Sequence, residues 1–390
     1  MRSAIRMAAF LAMGALLCGI ALGAEGDSVS VTDSGVSTRP ASWECTPGHP
    51  IETRGLSLDN GLIRYSFAYS GCVHPSHGEK RPSSEGNFGM PSPTRANFYA
   101  GGFFGVIING EDAATYRVVD MQVLEEGERG AIQAIFAHPD ADVGLRLMLL
   151  PGGNHVLALV HWVPREGAAI ESVQVKLIAY PSYFTTFNNR QGERHCRTPR
   201  TDQQEVSTLE IVPGEDAYLY YYDAIFDVAR GEGDGPCATV LGPEGVIGGR
   251  VAINAYPVTS YIDFDPAAGE ARLAFYDFTS LSNAQAQAYL DENWQADQAE
   301  LAQIDFRPAA ARTLDLAAFE EEVRGLQADA ADDGEALAPQ VEELLGKVEE
   351  AQASATAGDW QAEASLSGLL RDSRALLWKL RIFALLNGEG

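Results

Sequence analysis

Positive charge is scarce in this chain: 28 lysines and arginines stand against 54 aspartates and glutamates, a formal net charge of -26. A polyanion would meet repulsion before it met a binding group, so nucleic acid and anionic membranes are excluded as main partners. Cysteine is also sparse, five in 390 residues. None shows the Cys-x-x-Cys or Cys/His spacing of a zinc site. The chain has no phosphate-cradling glycine loop and no serine nucleophile elbow, so no cofactor and no metal is expected. It has no internal repeat. Past the first two dozen residues no segment is apolar enough to cross a bilayer.

Those first residues are the exception. Arg2 and Arg6 form a positive n-region, Met7 to Leu22 an uncharged apolar run, and Ala21, Gly23 and Ala24 a small-residue cleavage site before Glu25. The run is short for a membrane span and no stop-transfer pattern follows it. Residues 1–24 are therefore read as a cleaved signal peptide, with a retained N-terminal anchor as the alternative. The expected location is secreted or periplasmic, with no transmembrane segment after cleavage. Cleavage removes Cys18 and leaves Cys45, Cys72, Cys196 and Cys237. Four cysteines in an oxidising compartment suggest two disulfides. Of the connectivities they allow, loop closure favours the most local, Cys45 with Cys72 and Cys196 with Cys237.

Residues 25–50, rich in Ser, Thr, Gly and Asp, read as a flexible leader. From 51 to 281 the pattern is strand-like. Asp59-Asn60-Gly61 between two apolar stretches is a hairpin signal. Many short strand candidates follow, bounded by turn sequences such as Pro151-Gly152-Gly153-Asn154 and Pro213-Gly214-Glu215-Asp216. The nearly continuous apolar run from Val156 to Val163 belongs between two layers. The expected fold is mainly β: one large antiparallel two-sheet supersandwich domain. Ser282 and Gln285 then have capping-box spacing ahead of a connecting helix, 282–308, which Phe306-Arg307-Pro308 ends.

Residues 309–390 carry three amphipathic stripes. The first is Leu316, Phe319, Val323 and Leu326; the second Val341, Leu344, Leu345 and Val348; the third runs from Trp360 through Leu366, Leu377 and Leu380 to Phe383. Gly334 with Pro339, and Gly358 with Asp359, are read as breaks. Together these predict a small C-terminal α-helical bundle. Its acidic outer face is either a solvated surface or a docking site for a protein partner.

The scarce cations are concentrated once. Arg190, Arg194, His195, Arg197 and Arg200 fall in one short run, preceded by Tyr180, Tyr183, Phe184 and Phe187 and accompanied by Asn188. Guanidinium forks pair bidentately with carboxylates, sulfates or phosphates, and aromatic faces stack on sugar rings. Tyr180, Tyr183, Asn188, Arg190, Arg194, His195 and Arg197 are therefore the candidate ligand-binding residues, for an anionic glycan. The competing reading is a disulfide-pinned loop whose arginines pair with the chain's own carboxylates. A second candidate is the loop that opens at Cys72 and carries His74 and His77, as a cover over a substrate. The run Tyr218 to Tyr222 has the strand period, so its rings alternate between two faces and serve either sheet packing or a sugar platform.

Leu58-Asp59-Asn60-Gly61-Leu62 looks like the opening hairpin of the galactose-mutarotase-like β-supersandwich. Asn97 to Gly105, leading into Val106-Ile107-Ile108-Asn109-Gly110, resembles the same fold. That fold occurs in aldose epimerases and in many polysaccharide lyases and glycosidases. The resemblance covers the strand-rich region and implies a bias toward carbohydrate. Mutarotases use two histidines and a glutamate in a fixed context that is not matched here, so no catalytic residue is carried over. His155 and His161, an even separation apart, could face one side of a strand. Lys176 to Ser182 and Tyr218 to Asp223 are similar to segments of exported bacterial proteins.

The expected function is an exported carbohydrate-recognition or accessory protein, with a glycan as ligand. One alternative is a carbohydrate-active enzyme, a polysaccharide lyase or sugar epimerase, in which an arginine neutralises a uronate while Tyr or His removes the adjacent proton. The other is a structural or assembly protein of the cell envelope. The first should carry an aromatic sheet face with the 180–200 arginines at its rim. The second should bring Tyr or His and Arg together in one cleft. The third should expose an apolar face on its bundle.

Overall fold

The computed structural model describes residues 28–40, 50–73, 80–82, 104–113, 116, 118–181, 193–230, 235–254, 257–278 and 280–387. In chain order the strands begin with β1 (Ser30–Asp33), β2 (Ser37–Pro40), β3 (Pro50–Asp59), β4 (Arg64–Val73) and β5 (Lys80–Pro82). Next come β6 (Phe104–Ile108), β7 (Glu111–Asp112), β8 (Val118–Glu125), β9 (Gly130–Ala137) and β10 (Ala141–Leu149). They continue with β11 (His155–Pro164), β12 (Val173–Ala179), β13 (Arg194–Arg197), β14 (Asp202–Gln204) and β15 (Ser207–Glu210). The last are β16 (Tyr218–Asp223), β17 (Cys237–Leu241), β18 (Val246–Ile253), β19 (Val258–Phe264) and β20 (Glu270–Asp277).

The strands pair antiparallel into three sheets. The largest has nine strands, ordered β14-β13-β16-β17-β20-β11-β10-β9-β8. A six-stranded sheet runs β15-β18-β19-β12-β6-β7, and a five-stranded sheet runs β1-β3-β4-β5 with β2 also on β3. The expectation of a mainly β antiparallel architecture with a helical C-terminal end holds, but the described residues form three sheets rather than two. Both smaller sheets pack on the inner face of the large one. Phe67 of β4 meets Phe136 edge-on at 6.3 Å, and Phe104 of β6 meets Phe275 edge-on at 5.7 Å. One apolar cluster runs through all three. Part of the presumed leader is structured as well. β1 and β2 both pair along β3, whose length gives each an edge to extend.

Alternation in the large sheet sends residues to two different environments. Val143, Leu145 and Leu147 of β10, and Val156, Ala158 and Val160 of β11, face the inter-sheet core. Leu157, Leu159, Met148, Tyr218, Tyr220 and Tyr276 face outward into a second core roofed by helices. That is why the run from Val156 to Val163 is apolar almost throughout. Strand order removes one expected disulfide. Cys196 lies opposite Tyr221, and Tyr221 lies opposite Cys237 on its other side, so a whole strand separates the two cysteines. That spacing exceeds the roughly 7 Å limit between Cα atoms for a disulfide. Both are buried thiols. Cys45 and the Cys72 side chain lie outside the described residues.

The helices are α1 (Asn283–Gln303), α2 (Ala309–Thr313), α3 (Leu316–Asp329), α4 (Ala331–Thr356) and α5 (Trp360–Asn387). Ser282 caps α1 in a full capping box with Gln285. The break expected at Gly334 and Pro339 does not occur: α4 runs through both, and the chain turns instead at Ala330–Ala331. Gly334 permits a close crossing, since a Cβ there would sit 2.0 Å from the Gln327 carbonyl oxygen. The break at Gly358 is present, with the glycine at φ 88°.

Arginines on the outer sheet face grip the helical end. Arg272 donates to the carbonyls of Leu301 (2.9 Å) and Ile304 (3.1 Å), capping the negative end of α1. Arg129 donates to the carbonyls of Asp305, at 2.7 Å, and Arg307. Arg146 makes a 2.6 Å ion pair with Glu363 of α5, both side chains nearly fully buried, and donates to Gln133 at 2.7 Å. Its guanidinium also lies 4.0 Å over the Trp360 ring, while His161 stacks on that ring at 4.2 Å. His155 and His161 thus share the outer face, as their even separation implies. His155 contacts Glu300 of α1 at 3.0 Å. The indole needs a bare backbone beneath it: a Cβ on Gly144 would stand 2.7 Å from a Trp360 ring carbon.

Gly144→Ala should therefore lift the indole and destabilise the protein by about 1–3 kcal/mol, the usual cost of overpacking, read from the urea unfolding midpoint. Burial, reinforced by Arg146, lowers the His161 pKa from 6.5 to about 4. Between those values the unfolded chain binds a proton that the folded chain refuses, so stability falls as pH drops from 6.5 toward 4. His161→Gln should flatten that part of the stability-pH curve relative to wild type. Parallel curves for the two proteins would show that His161 does not titrate this way.

Candidate functional site

Alternation along β13 divides the arginine-rich segment. Arg194 and Cys196 turn inward and are fully buried, while His195 and Arg197 turn to the outer, helix-covered side. Neighbours in sequence are therefore not neighbours in a site. Arg194 reaches Glu205 at 3.4 Å and lies in register with Asp223. Arg200 binds Asp216 at 3.0 Å and the Glu210 carbonyl at 2.8 Å. Arg197 binds both carboxylate oxygens of Asp291 on α1, at 3.1 and 3.2 Å. Tyr180 is buried just beyond β12, in the six-stranded sheet. Tyr183, Asn188 and Arg190, with His74 and His77, lie outside the described residues.

Pairing of β13 with β16 sets His195 opposite Tyr222. Their rings stack at 4.7 Å, and Tyr222 stacks in turn on Tyr220 at 5.1 Å. Asp202 of β14 binds this stack from one side, accepting from the Tyr222 hydroxyl at 2.7 Å and contacting His195 Nδ1 at 3.1 Å. Glu193 lies 3.3 Å from the other ring nitrogen. Burial first, then the Asp202 carboxylate, pushes the Tyr222 pKa well up. Its hydroxyl is consequently a hydrogen-bond donor rather than a base. Tyr218, which donates to Asp291 at 3.1 Å, is raised by burial to about 12.

The groups exposed here are mainly acceptors. Glu193, Asp202 and Asp291 keep 45%, 40% and 46% of their side-chain surface, against 16% for His195 and 21% for Arg197. Sequence reasoning missed Asp202 and Glu193, and it named the tyrosine run that ends at Tyr222 without joining it to His195. A carboxylate stands out little in so acidic a chain, and only strand register joins the tyrosine run to His195.

The aromatic sheet face expected of a recognition protein exists, but it is not open. Tyr218, Tyr220, Tyr276 and Phe278 line it, and Tyr289 and Trp294 of α1 close over it. The β13–β14 edge, with His195 and Tyr222, is what remains partly exposed. Among the described residues a shallow pocket of about 140 Å³ lies elsewhere, around Arg54, Tyr69 and Asp120, and no candidate residue borders it. The described residues hold no cluster of metal-ligating side chains.

Comparison with solved structures finds a weak likeness of fold to carbohydrate-active enzymes. One is an alpha-N-acetylgalactosaminidase from Bifidobacterium bifidum in complex with GalNAc, at 12% identity and TM-score 0.35, over 67% of this chain and 38% of that one. Another is a GH36 alpha-galactosidase from Geobacillus stearothermophilus, at 8% identity and TM-score 0.31, over 62% of this chain and 40% of that one. A third is an aldose 1-epimerase from Klebsiella pneumoniae, at 7% identity and TM-score 0.36, over 70% of this chain and 96% of that one. The aligned region thus spans about two fifths of the length of the two glycosidases. No protein-family model matches the chain, and no curated protein matches it.

Proposed function

We propose that this is an exported carbohydrate-recognition protein that holds a neutral sugar chain at the β13–β14 edge of the large sheet. The observation that carries the reading is the His195–Tyr222–Tyr220 ring stack bordered by the exposed carboxylates of Glu193 and Asp202. A pyranose offers an apolar C–H face to an aromatic ring and hydroxyl donors to carboxylates, and the partly exposed His195–Tyr222 end of the stack, flanked by acceptors and backed by the buried Tyr220, suits both. An anionic glycan suits it less. Arg194, Arg197 and Arg200 each already have a carboxylate of this chain, and a uronate would have to displace Asp291 from Arg197. A lyase suits it less as well. The Tyr222 phenol is committed as a donor to Asp202, and its raised pKa keeps it protonated, so it is not available as a general base.

The test is titration of the full chain with neutral oligosaccharides and with uronate oligomers. Neutral ligands should bind, and His195→Ala and Tyr222→Ala should each weaken binding about tenfold, the scale of one aromatic contact. Arg197→Ala should change affinity little. Preference for uronates with strong dependence on Arg197, or neutral-glycan binding indifferent to both ring deletions, would overturn the proposal.

A further inference from the structure

The second half of α5 has two apolar faces, and only one is used by the fold. Leu376, Leu377, Leu380 and Phe383 pack against Val323 of α3 and Val341 and Leu345 of α4. On the opposite face Trp378, Ile382, Leu385 and Leu386 are 43%, 37%, 56% and 70% exposed. They account for four of the eleven large exposed hydrophobic side chains among the described residues. The other seven are spread along the chain between Val36 and Ile247, whereas these four form one ridge. Scattered surface hydrophobics need no explanation, but a contiguous apolar patch marks an interaction site.

The ridge has a definite spacing and a definite charge. Ala375, Trp378, Ile382 and Leu385 follow one another at intervals of three, four and three, the seam of a helix that packs on another helix, while Arg371, one turn before them, donates to the Val123 carbonyl of β8 at 3.1 Å. From Arg371 onward the described helix carries four cations, Arg371, Arg374, Lys379 and Arg381, against the single acid Asp372. On a helical projection Arg374 and Arg381 flank the ridge on one side and Lys379 on the other. Arg381 reaches Glu322 at 2.6 Å and Arg371 reaches Asp372 at 3.7 Å. In a chain of net charge -26 this is a local reversal of sign.

We propose that this face of α5 docks an amphipathic helix of a partner protein, with an apolar seam that meets Trp378, Ile382 and Leu385 and acidic flanks that meet Arg374, Lys379 and Arg381. Heptad spacing specifies a helical occupant, and the basic flanks specify its charge, as flanking residues do in paired helices. A second copy of the same face would set arginine and lysine against arginine and lysine. The ridge shares no residue with the sugar site.

Two synthetic peptides test it on the full chain. Both carry the same leucine seam in heptads; one has glutamate at the flanking positions and the other lysine. By fluorescence anisotropy the glutamate peptide should bind at least about tenfold more tightly, as complementary against like-charged flanks require. Trp378→Ala/Ile382→Ala should abolish that binding without changing the helical circular dichroism, since both side chains are exposed. Arg374→Glu/Lys379→Glu should reverse the peptide preference. Failure of both peptides to bind, or equal binding of both, would overturn the proposal. So would a dimer in sedimentation that Ile382→Ala/Leu385→Ala disperses, which would make the occupant a second copy. Ridge-dependent sedimentation with phosphatidylglycerol vesicles but no peptide binding would overturn it in favour of a lipid surface.

Discussion

Arg146 cannot remain on the outer face of the large sheet unless something anionic covers it, and Glu363 of α5 does so at 2.6 Å with both groups out of water. Removing one partner of such a pair leaves a buried charge uncompensated, so sheet and helical end are bound to each other's presence. Burial lowers the Arg146 pKa, with Glu363 as the opposing influence. Around this pair the other contacts fall into place. Trp360 lies flat because Gly144 leaves room for it, and Gln133 joins the Arg146 side chain to the Trp360 carbonyl. Arg129 and Arg272 hold the turn after α1 by its carbonyls. Backbone carbonyls, the carboxylates of Glu125, Glu270 and Glu363, and the Trp360 face together accommodate the cations that this sheet face carries.

That closure decides where a ligand can approach. The ring-lined face formed by β16 and β20 would be a broad platform, but α1 lies on it, and Asp291 ties the helix to Arg197 and Tyr218. What stays partly exposed is the margin at β13 and β14, where the ring stack meets water beside two carboxylates. The electrostatic character of the site is thus opposite to that of its sequence neighbourhood. Arg194 is turned inward, Arg197 and Arg200 are already paired, and the most exposed described groups at this edge, Glu193, Asp202 and Asp291, accept hydrogen bonds. The α5 ridge shows the converse. There the local charge is positive because helical period gathers Arg374, Lys379 and Arg381 beside an apolar stripe that the bundle does not need.

Much of the architecture was legible in local pattern. The apolar run from Val156 to Val163 reads as a strand between two layers because both of its faces are covered, one by β-sheet and one by helix. The capping box at Ser282 and Gln285 is short-range chemistry and forms where its spacing places it. Other signals were read with the right chemistry but the wrong surroundings. Gly334 and Pro339 looked like a helix break, yet the glycine serves a close crossing of α3 and α4, which only packing reveals. The Ser/Thr-rich leader looked unstructured, yet β3 offers edges that β1 and β2 complete.

The sequence by itself determined the strand and helix periods, the acid excess, and the concentration of cations near residue 195. Each of these depends on residues within a few positions of one another. Tertiary structure alone decided which cations meet carboxylates, that a strand separates Cys196 from Cys237, and that Tyr222 and Asp202 surround His195. These depend on strand register, because a shift of one residue exchanges the two faces of β13 and would bring Arg194 and Cys196, not His195 and Arg197, to the outer side.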